Sequence, residues 1–311
     1  MVMGQGRSLS PEGDRIFYGN DRSGEMSGLN LWQSLVSCST NALKSGALQP
    51  ISTHHEFLTA AGLTFLVHVS DNLQRKTALD TLLRSRAPDF NPFLPYEEAL
   101  FVADLSPTHL CLLNKFNVVE HHSLIVTRAF EAQETWLTVA DFAAIAHALS
   151  EIEGLAFYNG GRDAGASQRH KHLQLVPYPL LPPGYDLPLE AAIAAMPDPH
   201  APNPIPAFRF RHAFASLTRT MTPADLHRCY GELLSTAGLH YQGQQQTAPY
   251  NFLMTRAWMV IVPRSRDRYQ GISVNSLGFA GTLFVATPEQ RATLTTLGPL
   301  SLLEQVAIPL P

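Results

Sequence analysis

The sequence predicts an α+β fold, a largely antiparallel sheet flanked by helices. Two observations carry that expectation. Residues 109–176 pass from period-2 to period-3.6 apolar spacing and back, in the order strand, strand, helix, strand, strand. Residues 222–286 again place strands after a helix, so the C-terminal part is expected to extend the same sheet. No internal repeat is visible.

Each element follows from its residues. Residues 1–25 are rich in Gly, Ser and charge and poor in core formers, which predicts a disordered or loosely attached segment. Met26 opens a more globular stretch and is a candidate later start. Residues 26–311 are expected to form one domain, with an N-terminal part over 26–180 and a C-terminal extension over 207–311. Leu31, Trp32, Leu35 and Val36 give residues 30–44 helical spacing. Residues 63–70 alternate weakly and suit a strand. Pro88, Asn91, Pro92 and Pro95 make 85–99 a loop. Strands are expected at 109–115 and 122–128. Thr138-Val139-Ala140-Asp141 resembles a capping box that opens a helix to about Glu153. Its apolar stripe of Val139, Phe142, Ile145, Ala146 and Leu149 is core packing without catalytic meaning. Strands follow at 154–159 and 170–176. The prolines of 177–206 predict a connection over the surface. Thr222-Pro223-Ala224-Asp225 starts a helix with Pro at its first position. Strands at 250–255, 257–263 and 282–286 and a short helix from Thr287 close the chain.

Composition excludes several classes. The hydrophobic fraction of 45% is ordinary for a globular protein. No apolar run approaches the ~18 residues of a membrane span, and no secretory signal is visible at the amino terminus. Cys38, Cys111 and Cys229 are odd in number and scattered, which fits a reducing cytoplasm better than a disulfide framework or a Cys-rich zinc site. A net charge of −4 leaves no nucleic-acid footprint. Lys44, Lys76, Lys115 and Lys171 are all the lysines in the chain. In a chain so poor in them, Lys76 and Lys115 are candidates for phosphate contact.

The chemistry concentrates in residues 159–177. Strand alternation puts His170, His172 and Gln174 on one face, with Lys171, Leu173 and Leu175 on the other. Upstream, Gly160, Gly161 and Gly165 are free to take positive φ, and Ala166, Ser167 and Gln168 offer backbone and side-chain donors. A donor-rich loop running into an imidazole row suits catalysis at phosphate: the loop holds charged oxygens and an imidazole attacks phosphorus. Against this stand a merely structural His-x-His and metal binding. Gln is a poor metal ligand but a good donor to a phosphoryl oxygen, and no nearby Asp or Glu completes a metal triad.

Gly165-Ala166-Ser167-Gln168 followed by His170-Lys171-His172-Leu173-Gln174 resembles the ATP adenylyltransferases, or diadenosine tetraphosphate phosphorylases, of the histidine-triad-like superfamily. Further blocks resemble the same family: Leu113–Val119 with His122–Thr127, Tyr250–Thr255 with Trp258–Arg264, and Asn275–Gly281. Together they span roughly residues 30–290, and their order makes the likeness specific. The resemblance implies a histidine-triad-like antiparallel half-barrel and transfer of an adenylyl group through a covalent intermediate. His172 would be the nucleophile and Gln174 a donor to a non-bridging oxygen. His170 would orient the site, contact the leaving polyphosphate, or serve structure alone. Gly165, Ala166, Ser167 and Gln168 would hold the phosphate chain. Asn159, Asn114, Lys115 and Lys76 would contact the nucleotide, and Asn275, Ser276, Leu277 and Thr282 the far end of the substrate. Ala286 departs from a pattern that carries a basic residue near that point; the arginines at 264–268 are possible substitutes. Mg²⁺ or another divalent cation is expected to arrive with the nucleotide.

The implied reaction is phosphorolysis of diadenosine tetraphosphate to ADP and ATP, reversibly. Where histidine-triad hydrolases carry a third His, Gln174 lacks an acid–base proton, which favours phosphate over water as acceptor. Three rivals stand beside this: a hexose-1-phosphate uridylyltransferase, a histidine-triad hydrolase, and a nucleotide sensor without turnover. Lys171 and Leu173, where the uridylyltransferases have Pro and Gly, disfavour the first. Partners are expected to be small nucleotides and phosphate, with no nucleic acid or membrane; a monomer is possible.

Overall fold

A computed structural model describes residues 30–69, 90–182, 187–198, 205–240 and 243–311. The expected disorder of residues 1–25 and the site residue Lys76 lie outside these. The helices are α1 (Leu31–Ser45), α2 (Val139–Glu151), α3 (Pro188–Ala194), α4 (Pro223–Thr236), α5 (Ser276–Ala280), α6 (Pro288–Leu297) and α7 (Pro299–Val306). The strands run from β1 (His54–Ala60), β2 (Leu63–Val69), β3 (Phe101–Asp104), β4 (His109–Leu113) and β5 (Ser123–Thr127) to β6 (Gly154–Gly160) and β7 (His172–Pro177). β8 (Ala213–Ser216), β9 (Tyr250–Met254), β10 (Trp258–Pro263), β11 (Arg268–Tyr269), β12 (Ile272–Ser273) and β13 (Thr282–Val285) complete them.

The fold is α+β, as the patterning predicts. Eight strands form one sheet in the order β3-β4-β5-β7-β6-β9-β10-β8, with every described pairing antiparallel. The C-terminal β9 and β10 do extend the central sheet. β13 does not: it pairs parallel with β2 in a three-stranded sheet, β1-β2-β13. Helix starts are set by local chemistry. Thr138 accepts from the Asp141 N–H while Asp141 reaches back to the Thr138 N–H, and Thr222 with Asp225 does the same for α4.

One face of the sheet is sealed. Leu35 of α1, Phe142, Ile145 and Leu149 of α2, and Tyr230 and Leu234 of α4 pack on Leu173, Leu175 and Phe252. Val139, expected in this stripe, is 44% exposed because it stands in the first turn, beyond the sheet. The other face carries separate apolar clusters. One joins Phe157, Val176, Leu253 and Val260 to α3, α5, α6 and α7. Another joins Leu110, Leu112, Leu124 and Val126 to Phe93. Between them the face stays open over β6 and β7, and there lies a cavity of about 1250 Å³.

Candidate active site

His172 opens β7, between β5 and β6, at the centre of the open face. Its Nδ1 lies 2.8 Å from the His170 carbonyl oxygen, an acceptor, so Nδ1 carries the hydrogen and donates. Nε2 is left with the lone pair, and the side chain lines the cavity. Burial drives its pKa down to about 4, against the hydrogen bond to the His170 carbonyl, which acts to raise it. The ring is therefore neutral at neutral pH. Its backbone is clamped by Gln133, whose Oε1 accepts from the His172 N–H at 2.9 Å. Gln133 Nε2 in turn donates to the carbonyls of Asn159 (2.9 Å) and His172 (3.2 Å). Phe93 packs 5.4 Å from the imidazole, ring centre to ring centre.

His170 does not join the row. The strand begins at His172, and His170 forms only an isolated bridge to Ala132. Its ring turns away: Asn91 Nδ2 donates to Nδ1 at 3.0 Å, Nε2 donates to the carbonyls of Thr127 (2.8 Å) and Ala129 (3.1 Å), Phe130 packs against it, and it is absent from the cavity wall. What His170 gives the site is its carbonyl.

Immediately before β7, Lys171 is fully buried on the α2 side of the sheet. Its Nζ donates to Asp141 (2.7 Å), Glu131 (3.1 Å) and the Trp136 carbonyl (3.0 Å). Burial alone would raise the Asp141 pKa, but the His109 Nε2 contact at 3.0 Å, Lys171 and the Thr138 cap together hold it at about 2. Lys171 is thus committed to structure beneath the nucleophile.

Gln174 lines the cavity two residues after His172, and its Oε1 lies 2.9 Å from His122 Nε2. Asn114 and Lys115 stand on the same wall; Lys115 Nζ is 2.6 Å from Glu97 Oε2.

The loop after β6 forms the facing rim. Gly161 (φ 91°) and Gly165 (φ 95°) bracket the 3₁₀ turn Arg162–Ala164. At Gly165 a Cβ would stand 2.9 Å from that of Asn275, so glycine permits both the turn and the approach. The N–H groups of Gly165 and Ala166 are spent inside the turn, on Arg162 and Gly161 carbonyls at 2.9 and 3.1 Å. Of the expected donors, Ser167 and Gln168 follow at the cavity wall. Beneath the loop, Asn251 Nδ2 donates to Ala164 O, Asn159 Oδ1 and Ser276 Oγ, each at 2.9 Å. Arg264 spans this network, donating to Asn251 Oδ1 and to the carbonyls of Ala164, Arg266, Val274 and Val306. Burial lowers its pKa to about 9.

The cavity therefore brings together His172, Gln174, Asn114, Lys115, Asn159, Gly165, Ala166, Ser167, Gln168, Asn275 and Leu277. Ser276 and Thr282 do not reach it: both are buried behind the wall, and Ser276 Oγ is tied to Asn159 Oδ1 at 2.8 Å. Ala286, just after β13, does line the cavity, and Arg268 and Gln290 line it as well. Arg264, one of the suggested substitutes, is consumed by carbonyls. Sequence reasoning missed His122, Gln133, Arg162 and Glu97 as site residues. Among the described residues no group of His, Cys, Asp and Glu side chains converges as a metal site. Of the cavity's carboxylates, Glu97 and Asp267 each already hold a cation, Lys115 and Arg268.

Comparisons with known proteins bear on the family and the fold. The Ap4A phosphorylase N-terminal domain matches residues 21–195, and the ATP adenylyltransferase C-terminal domain matches residues 206–309. Diadenosine 5',5'''-P1,P4-tetraphosphate phosphorylase 2 of Saccharomyces cerevisiae is 30% identical over 295 residues, covering 86% of this chain and 90% of that protein. The crystal structure of yeast Ap4A phosphorylase Apa2 superposes with a TM-score of 0.75 at 27% identity, covering 90% of this chain and 95% of that one. A structure of Apa2 in complex with Ap4A superposes equally well, with a TM-score of 0.75 at 26% identity, over 90% of this chain and 98% of that one.

Proposed function

This chain belongs to the Ap4A phosphorylase family, and from that premise we propose that it phosphorolyses diadenosine tetraphosphate to ADP and ATP through an adenylyl-histidine on His172. The observation that carries the reading is the imidazole itself: buried, neutral, hydrogen-bonded through Nδ1, its Nε2 lone pair on the cavity wall.

Nε2 attacks the α-phosphorus, the P–N bond forms, and the bond to the departing ATP oxygen breaks. The ring becomes cationic as the bond forms, and the Nδ1–H donor to the His170 carbonyl is already in place to stabilise that charge. The Gln174 amide donates to a non-bridging oxygen as charge builds there. An oxygen of inorganic phosphate then attacks the same phosphorus, the P–N bond breaks, and ADP leaves with His172 neutral again. Phosphate is already an anion and needs no base, so the absence of an acid–base group at position 174 suits it and leaves water unactivated. Ser167, Gln168, Asn159 and Lys115 are assigned to the nucleotide and its phosphate chain. The carboxylates at the wall are already paired, so a divalent cation is assigned to the polyphosphate, arriving with it as part of the substrate. A cytoplasmic location fits the thiols Cys38, Cys111 and Cys229, which are all unpaired. No described helix is long and apolar enough to cross a membrane.

One incubation with diadenosine tetraphosphate, with and without phosphate, tests the reading. Phosphate-dependent release of ADP plus ATP is expected. AMP plus ATP without phosphate would replace the reading with hydrolysis, and binding without products would leave a sensor.

A further inference from the structure

Asn114, His122 and Gln174 form one hydrogen-bonded file beside the nucleophile. Resting on the reaction proposed at His172, we infer that His122 is a positioning residue that fixes which end of the Gln174 amide faces the phosphoryl group.

The fold delivers His122 deliberately. His121 just before it takes a φ of 55°, a left-handed conformation unusual for a residue with a side chain. It is held there from α1: its ring meets Trp32 edge-on at 5.3 Å, and its Nδ1 lies 3.1 Å from Ser39 Oγ. His122 follows, buried, immediately before β5, its ring 5.8 Å from that of Phe157. The Asn114 N–H donates to the His122 carbonyl at 2.9 Å, which fixes the two residues side by side.

Polarity then runs along the file. A neutral imidazole has one donor nitrogen and one acceptor nitrogen. Asn114 Nδ2 donates to His122 Nδ1 at 3.3 Å, so the ring hydrogen is on Nε2. Nε2 donates to Gln174 Oε1 at 2.9 Å. With Oε1 occupied, the Gln174 amino group faces the cavity, where it meets a phosphoryl oxygen as a donor. A reversed amide would oppose one acceptor with another, and it would require the His122 tautomer and the Asn114 amide to reverse as well. Asn114, expected to contact the nucleotide, acts in this file through His122.

The test is a double-mutant cycle joined to a spectrum. His122→Phe keeps the ring packing and removes both nitrogens. The rate of adenylyl-His172 formation is expected to fall about tenfold or more, as for loss of an oriented transition-state donor, while KM moves by less than about threefold. In a Gln174→Ala background the same substitution should change the rate by less than about twofold, because no amide remains to be oriented. Equal losses in both backgrounds would reduce His122 to packing and overturn the role. Long-range ¹H–¹⁵N correlation in the wild-type protein should show His122 protonated on Nε2 and bare on Nδ1; the opposite tautomer overturns the role even if His122→Phe fails to fold. That spectrum is read without substrate, so its failure strikes the positioning role alone. Wild-type protein that takes no label from α-labelled substrate strikes the reaction at His172 instead.

Discussion

The two sides of the sheet at the entrance to β7 answer the same physical problem in opposite ways. His172 and Lys171 are sequence neighbours, and both side chains are buried. Burial penalises a charge on either. On the α2 face the charge is kept, and Asp141 and Glu131 surround Lys171 with carboxylates. On the cavity face no carboxylate among the described residues pairs with His172; the ring is held by a carbonyl and stays neutral, with its pKa near 4. Pairing makes a residue inert and structural, whereas burial without an ionic partner preserves a nucleophile. Chemistry and scaffold are separated by one step along the chain.

The sharpest way to break this contrast is to delete the nucleophile. His172→Ala should reduce turnover by at least ~10³-fold, since covalent catalysis has no substitute for its attacking atom. Substrate affinity should stay within about tenfold, because the imidazole acts mainly in the transition state. Steady-state rates and equilibrium binding check both halves; near-normal turnover would put the covalent step elsewhere.

Lys171→Met should show the reverse pattern. Removing one partner leaves Asp141 buried beside His109 with its main cation gone, which costs about 3–5 kcal/mol of stability. Urea denaturation reads this. Activity per folded molecule should change only a few-fold, and a large loss of substrate affinity instead would show that Lys171 serves phosphate. The sign with pH is set by Asp141, held at about 2 against an ordinary 3.8. Its contribution is present above the unfolded value and is lost as pH falls through 3.8 toward 2. The wild-type-minus-variant difference should shrink over that window.

The His172 pKa is lowered too, but here the lowering favours the neutral form. Its folded value of about 4 lies below the ordinary 6.5, so the folded ring stays neutral where a free imidazole protonates. Single-turnover adenylylation should therefore change by less than about twofold between pH 7 and 5.5, where an unshifted histidine would lose roughly eightfold. A midpoint near 6.5 would show that the ring is solvated before substrate binds.

How much of this was legible in sequence depended on the range of the contact. The capping box at Thr138, the helix start at Thr222, the loop at 165–168 and the pairing of β4 with β5 rest on neighbours, and local pattern reveals them. β1 was missed because His54, His55 and Glu56 mask its alternation, and β3 and β8 are too short to alternate. α3 hides among prolines, and the parallel pairing of β13 with β2 joins segments some two hundred residues apart in the chain. At the site, His122 and Gln133 carry no local signature, since their partners arrive 52 and 39 residues later. A cross-strand register between β5 and β7 is what would have exposed His122. His170 was placed in the row by alternation alone, and alternation fails where the strand has not yet begun.

Gln174→His tests the acceptor rule on the cavity face. An imidazole at position 174 supplies a group able to deprotonate water beside the adenylyl-histidine. The ratio of AMP-forming hydrolysis to phosphorolysis should rise by several-fold. An unchanged ratio in a folded, active variant would place acceptor choice in how phosphate itself is bound.

The smallest expected effect lies where pairing and exposure meet. Lys115 and Glu97 form a close ion pair at the cavity wall, with side chains 34% and 43% exposed. Solvent screens such a pair, and its value is about 0–1 kcal/mol. Lys115 is therefore neither locked like Lys171 nor buried like His172, and a polyphosphate can recruit it at little cost. Lys115→Met should weaken substrate binding by less than about tenfold, with the loss shrinking as salt rises. Glu97→Gln should do the opposite: with the competing carboxylate gone, affinity at low ionic strength should improve by up to a few-fold and converge on wild type in high salt. Titrations at two salt concentrations decide the matter. If Glu97→Gln weakens binding instead, the carboxylate serves the substrate directly, and the pair belongs with the machinery rather than the solvated rim.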